Sequence, residues 1–242
     1  PVTRRISQTR FEQIGNALND YLATLPPAWQ RVVGAYHLVD VAHKVVGVGS
    51  VGLRAFLALL EGSSPDDVLF LQLKQARRSV IAPFVHGETP RHAHQGQRVV
   101  EYQQALQTAS DPLLGWATLP VTSDPSTATQ LGPGSMMPGS PAIQVYVRQY
   151  RNMKGAVVID GLDASALSDY ARVLGLLLAK SHARTSGASR ISGYLGGSDA
   201  AVEAFVRFAR AYADQTEADH AALCAAVRAG RLPPPALGSA GG

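Results

Sequence analysis

Residues 44–74, KVVGVGSVGLRAFLALLEGSSPDDVLFLQLK, carry three glycines at GxGxxG spacing, Gly47, Gly49 and Gly52, behind an apolar lead-in of Val45, Val46 and Val48. Glycine has no Cβ, so backbone N–H groups at such positions can approach an anion closely. The spacing alone is a weak signal, and its meaning depends on the element that follows. A helix over 53–61 would make strand–glycine–helix, the dinucleotide-binding fingerprint. A strand there would make strand–glycine loop–strand–turn–strand–lysine, the order of a kinase-type glycine-rich lobe.

Residues 53–60 leave that choice open. Leucine and alanine favour helix, while Arg54, Phe56 and the shortness of the run suit a strand. The next apolar run, 68–73, separates the two more sharply. A dinucleotide fold asks for a carboxylate roughly 20 residues beyond the glycines to hold the ribose. That place holds Gln72, Lys74 and Gln75, whereas Asp66 and Asp67 fall earlier, in the polar turn. A kinase-type lobe asks for a lysine at the end of the third strand, and Lys74 stands there. Lysine is scarce, four among 22 basic residues, so its placement carries weight. The kinase-type order is the expectation taken forward, with a dinucleotide enzyme and a purely structural hairpin as the alternatives.

Upstream, residues 8–24 keep Phe11, Ile14, Leu18, Tyr21 and Leu22 at helical spacing, and Pro26-Pro27 ends that helix. A second helix is expected over 28–43, with Asp40 and His43 as a capping or solvated pair near its end. Downstream, His86, His92 and His94 share a loop without a nearby carboxylate or cysteine, so they read as loop histidines rather than metal ligands. Residues 95–109 read as a helix with Val99, Tyr102, Leu106 and Ala109 on its apolar stripe and Glu101 on the flank. In a kinase-type lobe a helical glutamate orients the strand lysine on the phosphates. Glu101 is the candidate, against the plainer reading of a solvated surface side chain.

Residues 113–119 suit a short strand, and 143–150 alternate as another. Between them, 120–141 are rich in proline, glycine, serine and threonine and read as a mobile loop. Arg148, Arg151 and Lys154 could face an anion or simply solvent. Beyond 160 the chain turns helical, with Asp163 as an N-cap, helices over 199–213 and 216–229 (or one bent helix), and Gly230 as a C-cap. The expected class is α+β. Two N-terminal helices (1–43) precede a lobe of about five antiparallel strands with one packed helix (44–155), followed by a helical region (160–232) and a disordered tail (233–242).

Across 242 residues, 46% are hydrophobic and 17% charged, the composition of a globular protein able to bury a core. The net charge of +4 is spread thinly, with no lysine-rich run interleaved with aromatics, so a nucleic-acid partner is not expected. No apolar run approaches the ~20 residues that span a bilayer, and residues 1–13 lack a signal-peptide core. The single cysteine, Cys224, fits a reducing compartment. A cytoplasmic location is expected, with no membrane partner.

KVVGVGSVG, LFLQLKQARRSV, GQRVVEYQ, VYVRQYRNMKG, LAKSHARTSG, YLGGSDA and YADQTEADHAAL occur in this order and cover nearly all the chain. Together they resemble the bacterial family catalogued as domain of unknown function 2252. The resemblance implies a chain about twice this long. Its preceding half would carry Gly-Asp-x-His…Asn and Asp-Phe-Asp motifs like the catalytic loop and metal aspartate of aminoglycoside-phosphotransferase-like kinases. This sequence looks like the second half, because its only asparagines, Asn16, Asn19 and Asn152, follow no such motif. The family brings no activity of its own; the kinase-type order of the residues sets the expectation of nucleotide (ATP) binding, with Gly47, Gly49, Ser50 and Gly52 cradling phosphates, Lys74 contacting them and Glu101 orienting Lys74. Without metal ligands and a base, Mg²⁺ is not fixed and the acceptor is not oriented. Robust phosphoryl transfer would therefore need a second polypeptide to supply the missing half. The alternative is a non-catalytic domain whose shape serves a protein interaction.

Overall fold

The computed structural model describes residues 2–45, 53–84, 92–120, 142–151, 155–185 and 187–232. The chain divides into two units, residues 1–181 and 182–242. The first is built on one antiparallel sheet of six strands: β1 (Val2–Arg5), β2 (His37–Val45), β3 (Ala55–Glu61), β4 (Val68–Gln75), β5 (Gly115–Pro120) and β6 (Ala142–Gln149), in the spatial order β1-β2-β3-β4-β6-β5. Its helices are α1 (Gln8–Leu22), α2 (Pro27–Val33), α3 (Gln95–Leu106) and most of α4 (Ala164–Ala183).

The segment after the glycines is extended. β3 pairs with β4 in unbroken register from Ala55↔Lys74 to Glu61↔Val68. A helix over 53–61 is thereby excluded, and with it the strand–glycine–helix unit of a dinucleotide fold. The glycine stretch itself, Gly47, Gly49, Ser50 and Gly52 included, lies outside the described residues.

Strand alternation gives the sheet two different faces. On one, Phe56, Ala58 and Leu60 of β3, Leu71 and Leu73 of β4, and Ile143, Val145 and Val147 of β6 pack with Ala117 and Leu119 of β5 beneath α1. Helix α1 contributes Ile14, Ala17, Leu18 and Tyr21, spaced three and four apart. Each fully buried valine, leucine, isoleucine or phenylalanine side chain here stabilises the fold by about 1.5–3 kcal/mol. Arg10 is buried in the same layer. Its guanidinium donates to the Pro120 carbonyl at 2.9 Å and lies 6.0 Å from the Phe56 ring centre.

The expected helix over 28–43 is corrected. Helix α2 stops at Val33, closed by Gly34 N–H donating to the Gln30 carbonyl and Ala35 N–H to the Val32 carbonyl, and β2 begins at His37. The run LVDVAHKV is rich in β-branched residues and alternates Val41 and His43 inward against Asp40, Ala42 and Lys44, which suits a strand. Asp40 and His43 therefore sit on opposite faces of β2 and form no pair. A sixth strand, β1, adds to the expected five by pairing with β2 from Val2↔Val45 to Arg5↔Ala42.

Helix α3 ends at Leu106, three residues short of expectation, because Gln107 is extended. Asp163 caps α4 as anticipated, its Oδ1 accepting from Ala166 N–H at 2.8 Å. The second unit holds α5 (Ala188–Leu195) and a single long α6 (Ala200–Arg228), closed by Gly230 at φ +67°. Residues 121–141 and 233–242, where a mobile loop and a disordered tail are expected, lie outside the described residues. Among the described residues no helix is long and apolar enough to cross a membrane.

Candidate functional site: the face of the sheet opposite α1

The second face is built by the alternate residues of the same strands. The register carries one row across it: Thr3 opposite Lys44, Ala55 opposite Lys74, Lys74 opposite Tyr146, and Tyr146 opposite Trp116. The next row holds Arg5, Ala42, Leu57, Gln72 and Arg148. Lys74 thus sits beside Ala55, which follows Gly52 by three residues. The lysine at the end of the third predicted strand of the glycine unit is one strand away from the point where the chain leaves the glycines.

Three cations of this face, Lys44, Lys74 and Arg148, lie against neutral partners. Lys74 Nζ is 5.8 Å from the Tyr146 ring centre. Lys44 Nζ donates to the Tyr150 hydroxyl at 3.0 Å and lies 4.7 Å from the centre of its ring, so this contact bridges the face from β2 to the end of β6. Arg148 Nε donates to Oε1 of the buried Gln72 at 3.3 Å.

Helix α3 lies on the same face, over β5 and β6. Its first turn is fixed by polar contacts: Gln95 N–H donates to Gln144 Oε1 at 2.7 Å, and His94 Nδ1 accepts from Gln97 N–H at 3.2 Å as the N-cap. The other His94 ring nitrogen is 3.2 Å from Thr118 Oγ1. Burial depresses the His94 pKa, with a hydrogen bond from its ring to the Ala117 backbone carbonyl opposing it. Gly96 packs directly on the Val145 carbonyl, and Val100 is buried one turn on.

Glu101 does not meet Lys74. Its carboxylate is engaged by the His92 ring at 2.5 Å and by Gln97 Nε2 at 2.8 Å. The His92 contact is the main reason its pKa lies below the ordinary value. The two described members of the expected phosphate site are therefore on one face of the sheet but not in an ion pair. Of the loop histidines, His86 lies outside the described residues, His92 holds Glu101 and His94 caps α3. Among the described residues no cluster of three or more histidine, cysteine or acidic side chains is arranged to hold a metal.

Over residues 1–226 the chain matches the family described as "Uncharacterized protein conserved in bacteria (DUF2252)". The chain belongs to this family. No curated protein and no solved structure matches it significantly. In this DUF2252 chain the sequence singled out Lys74, Glu101 and Arg148, and all three are found around one sheet face. It missed Lys44, Tyr146 and Tyr150. The signal for Lys44 was the alternation Asp40, Ala42, Lys44, which is visible only once 37–45 is read as a strand.

Proposed function

We propose that this DUF2252 chain is a nucleotide-binding, kinase-like lobe of a phosphotransferase-like protein, with ATP as the ligand. Its phosphates lie against the glycine stretch and Lys74. One observation carries the reading: β3 is a strand whose first residue, Ala55, is the register partner of Lys74. The element order is then strand, glycine stretch, strand, strand ending in lysine, helix bearing a glutamate, and two further strands, as in kinase glycine-rich lobes. Glu101 is the residue that would orient Lys74, which requires it to exchange His92 for the lysine. The chain supplies phosphate-holding groups, and fixing Mg²⁺ and orienting an acceptor fall to residues outside this sequence. The reaction class is phosphoryl transfer, which rests on positioning and charge neutralisation.

The test is thermal unfolding with and without Mg-ATP. At a hundredfold excess over Kd a ligand stabilises by about 2.7 kcal/mol, roughly 5–10 °C in Tm for a chain of this size. Lys74→Ala is expected to abolish the shift while leaving the unliganded Tm close to wild type, because the half-buried side chain forms no ion pair among the described residues and lies only against the Tyr146 ring. Identical wild-type melting curves with and without Mg-ATP would refute the reading.

A second reading has its own support. Val202, Phe205, Phe208 and Tyr212 stand exposed at helical spacing along α6, and Phe208 and Tyr212 stack at 5.6 Å. A protein-interaction domain would use such a stripe. Co-purification with a partner that is lost on Phe205→Ser/Phe208→Ser, together with no nucleotide response, would favour it.

A further inference from the structure

The face opposite α1 carries more positive charge than one lysine supplies. Lys44, Lys74 and Arg148 are each half-buried, and none forms an ion pair with an acidic side chain among the described residues. What they touch instead is aromatic or neutral: the Tyr150 hydroxyl and ring, the Tyr146 ring and the Gln72 amide. The acid on the same face of β2, Asp40, accepts from the Val41 N–H at 2.7 Å. Glu101 is held by His92 and Gln97. Burial strips hydration from a cation, and an aromatic face or an amide restores only part of it. A bound anion would restore the rest.

The positions of the two lysines say what kind of anion fits. Lys44 lies one residue past His43, the last residue of β2 paired with β3, and three residues before Gly47. Lys74 pairs with Ala55, three residues after Gly52. The two lysines thus stand at the two ends of the glycine connection, on the same face, with the small Ala55 between them. One intervening strand sets their backbones roughly 10 Å apart, and both side chains are long enough to reach inward. A single phosphate meets one of these ammonium groups, whereas a chain of two or three phosphates can meet both.

We propose that Lys44 is a second phosphate contact of this face, that it selects nucleoside di- and triphosphates over monophosphates, and that its ammonium leaves Tyr150 to do so. The inference rests on the nucleotide-binding reading above and deepens it. Lys44 is a binding residue and takes no part in bond making.

The experiment is calorimetric titration of the 242-residue chain with AMP, ADP, ATP and inorganic triphosphate. Wild type is expected to bind ATP, ADP and triphosphate more tightly than AMP. Lys44→Gln is expected to weaken ATP and triphosphate about tenfold, the loss of one charge-assisted contact, and to leave AMP unchanged. Lys44→Arg keeps the charge and is expected to keep the preference, which guards against a Lys44→Gln protein that fails to fold. Tyr150→Phe removes the hydroxyl that Lys44 must leave and is expected to bind ATP at least as tightly as wild type. If Lys44→Gln binds ATP like wild type while Lys74→Ala loses binding, the role of Lys44 is overturned and the nucleotide-binding lobe stands. If wild type binds neither ATP nor triphosphate, both fall.

Discussion

Replacing Gly96 by alanine tests how α3 is held on the sheet. Gly96 is the second residue of α3 and packs on β6. An added Cβ would stand inside the contact radius of the Val145 carbonyl oxygen, 2.8 Å from the carbonyl carbon and 2.8 Å from His94 Cε1. Unbonded carbons prefer about 3.5–4.0 Å, so the helix start must lift by about 1 Å. The obstacle is backbone in the middle of a β-ladder and cannot rotate aside. Lifting stretches the Gln95–Gln144 and His94–Thr118 contacts and uncovers Val100. Overpacking costs about 1–3 kcal/mol, and an obstacle that is backbone puts this case at about 2–3 kcal/mol, of which the helix propensity gained from alanine offsets at most ~1 kcal/mol. The net loss of about 1–2 kcal/mol corresponds to a Tm lower by roughly 2–8 °C for a chain of this size. Gly175→Ala in α4 is the control: nothing lies within 4 Å of its added Cβ, so it is expected to stabilise by about 0.5–1 kcal/mol. Differential scanning calorimetry of the three proteins decides. A Gly96→Ala protein melting at or above wild type would show that α3 does not rest on β6 as described.

Tyr21→Phe removes the buried hydroxyl that donates to the Leu113 carbonyl at 2.7 Å and leaves that carbonyl unpaired, an expected loss of about 1–3 kcal/mol in urea unfolding; a smaller change would mean the carbonyl finds another donor. His43 has its pKa held below 6.5, first by burial and then by Arg4 and Arg54. Because the unfolded chain takes up that proton first, the His43 contribution is complete above pH ~6.5 and shrinks as pH falls below it. His43→Gln should therefore flatten the dependence of Tm on pH between 7 and 5. His94, shifted in the same direction, keeps part of the slope, and an undiminished slope would argue against a buried neutral His43.

The hairpin of β3 and β4 could be read from its residues because two apolar runs of strand length flank a turn of Gly, Ser, Pro and Asp. The region 28–43 misled because Trp29, Val32, Val33, Tyr36 and Val39 fit helical spacing as well as strand spacing. Gly34 was the break: its N–H donates to the Gln30 carbonyl at 2.8 Å, and a Cβ there would collide with that same oxygen. Strand β1 carries no local signal, since VTRR is short and polar and is a strand only through pairing with β2. The site divides the same way. Lys74 follows from strand order, but the choice of His92 over Lys74 by Glu101 is a matter of which partner lies nearer in space. The Lys44–Tyr150 contact joins residues 106 apart in sequence, and only the sheet brings them together.

The two faces of the sheet are not independent, and that bears on how well each part of the site is placed. Lys74 alternates with Leu73, which is fully buried and paired with Phe56. A one-residue slip of β4 would carry Leu73 to the open face and drive the Lys74 ammonium beneath α1, so the core itself fixes the register of the lysine. Glu101 has no such guarantee. Helix α3 is tied down at its first turn by His94, Gln95 and Gly96, and of its side chains only Val100 is buried. Glu101 is half-exposed just beyond that last anchor. In a ligand complex the lysine can therefore stay where the sheet puts it, and any Lys74–Glu101 pair has to form by movement of the helix and release of His92. His92→Ala, which frees the carboxylate without touching the sheet, is accordingly expected to tighten ATP binding, and weaker binding in that variant would mean that the His92–Glu101 contact belongs to the binding-competent state.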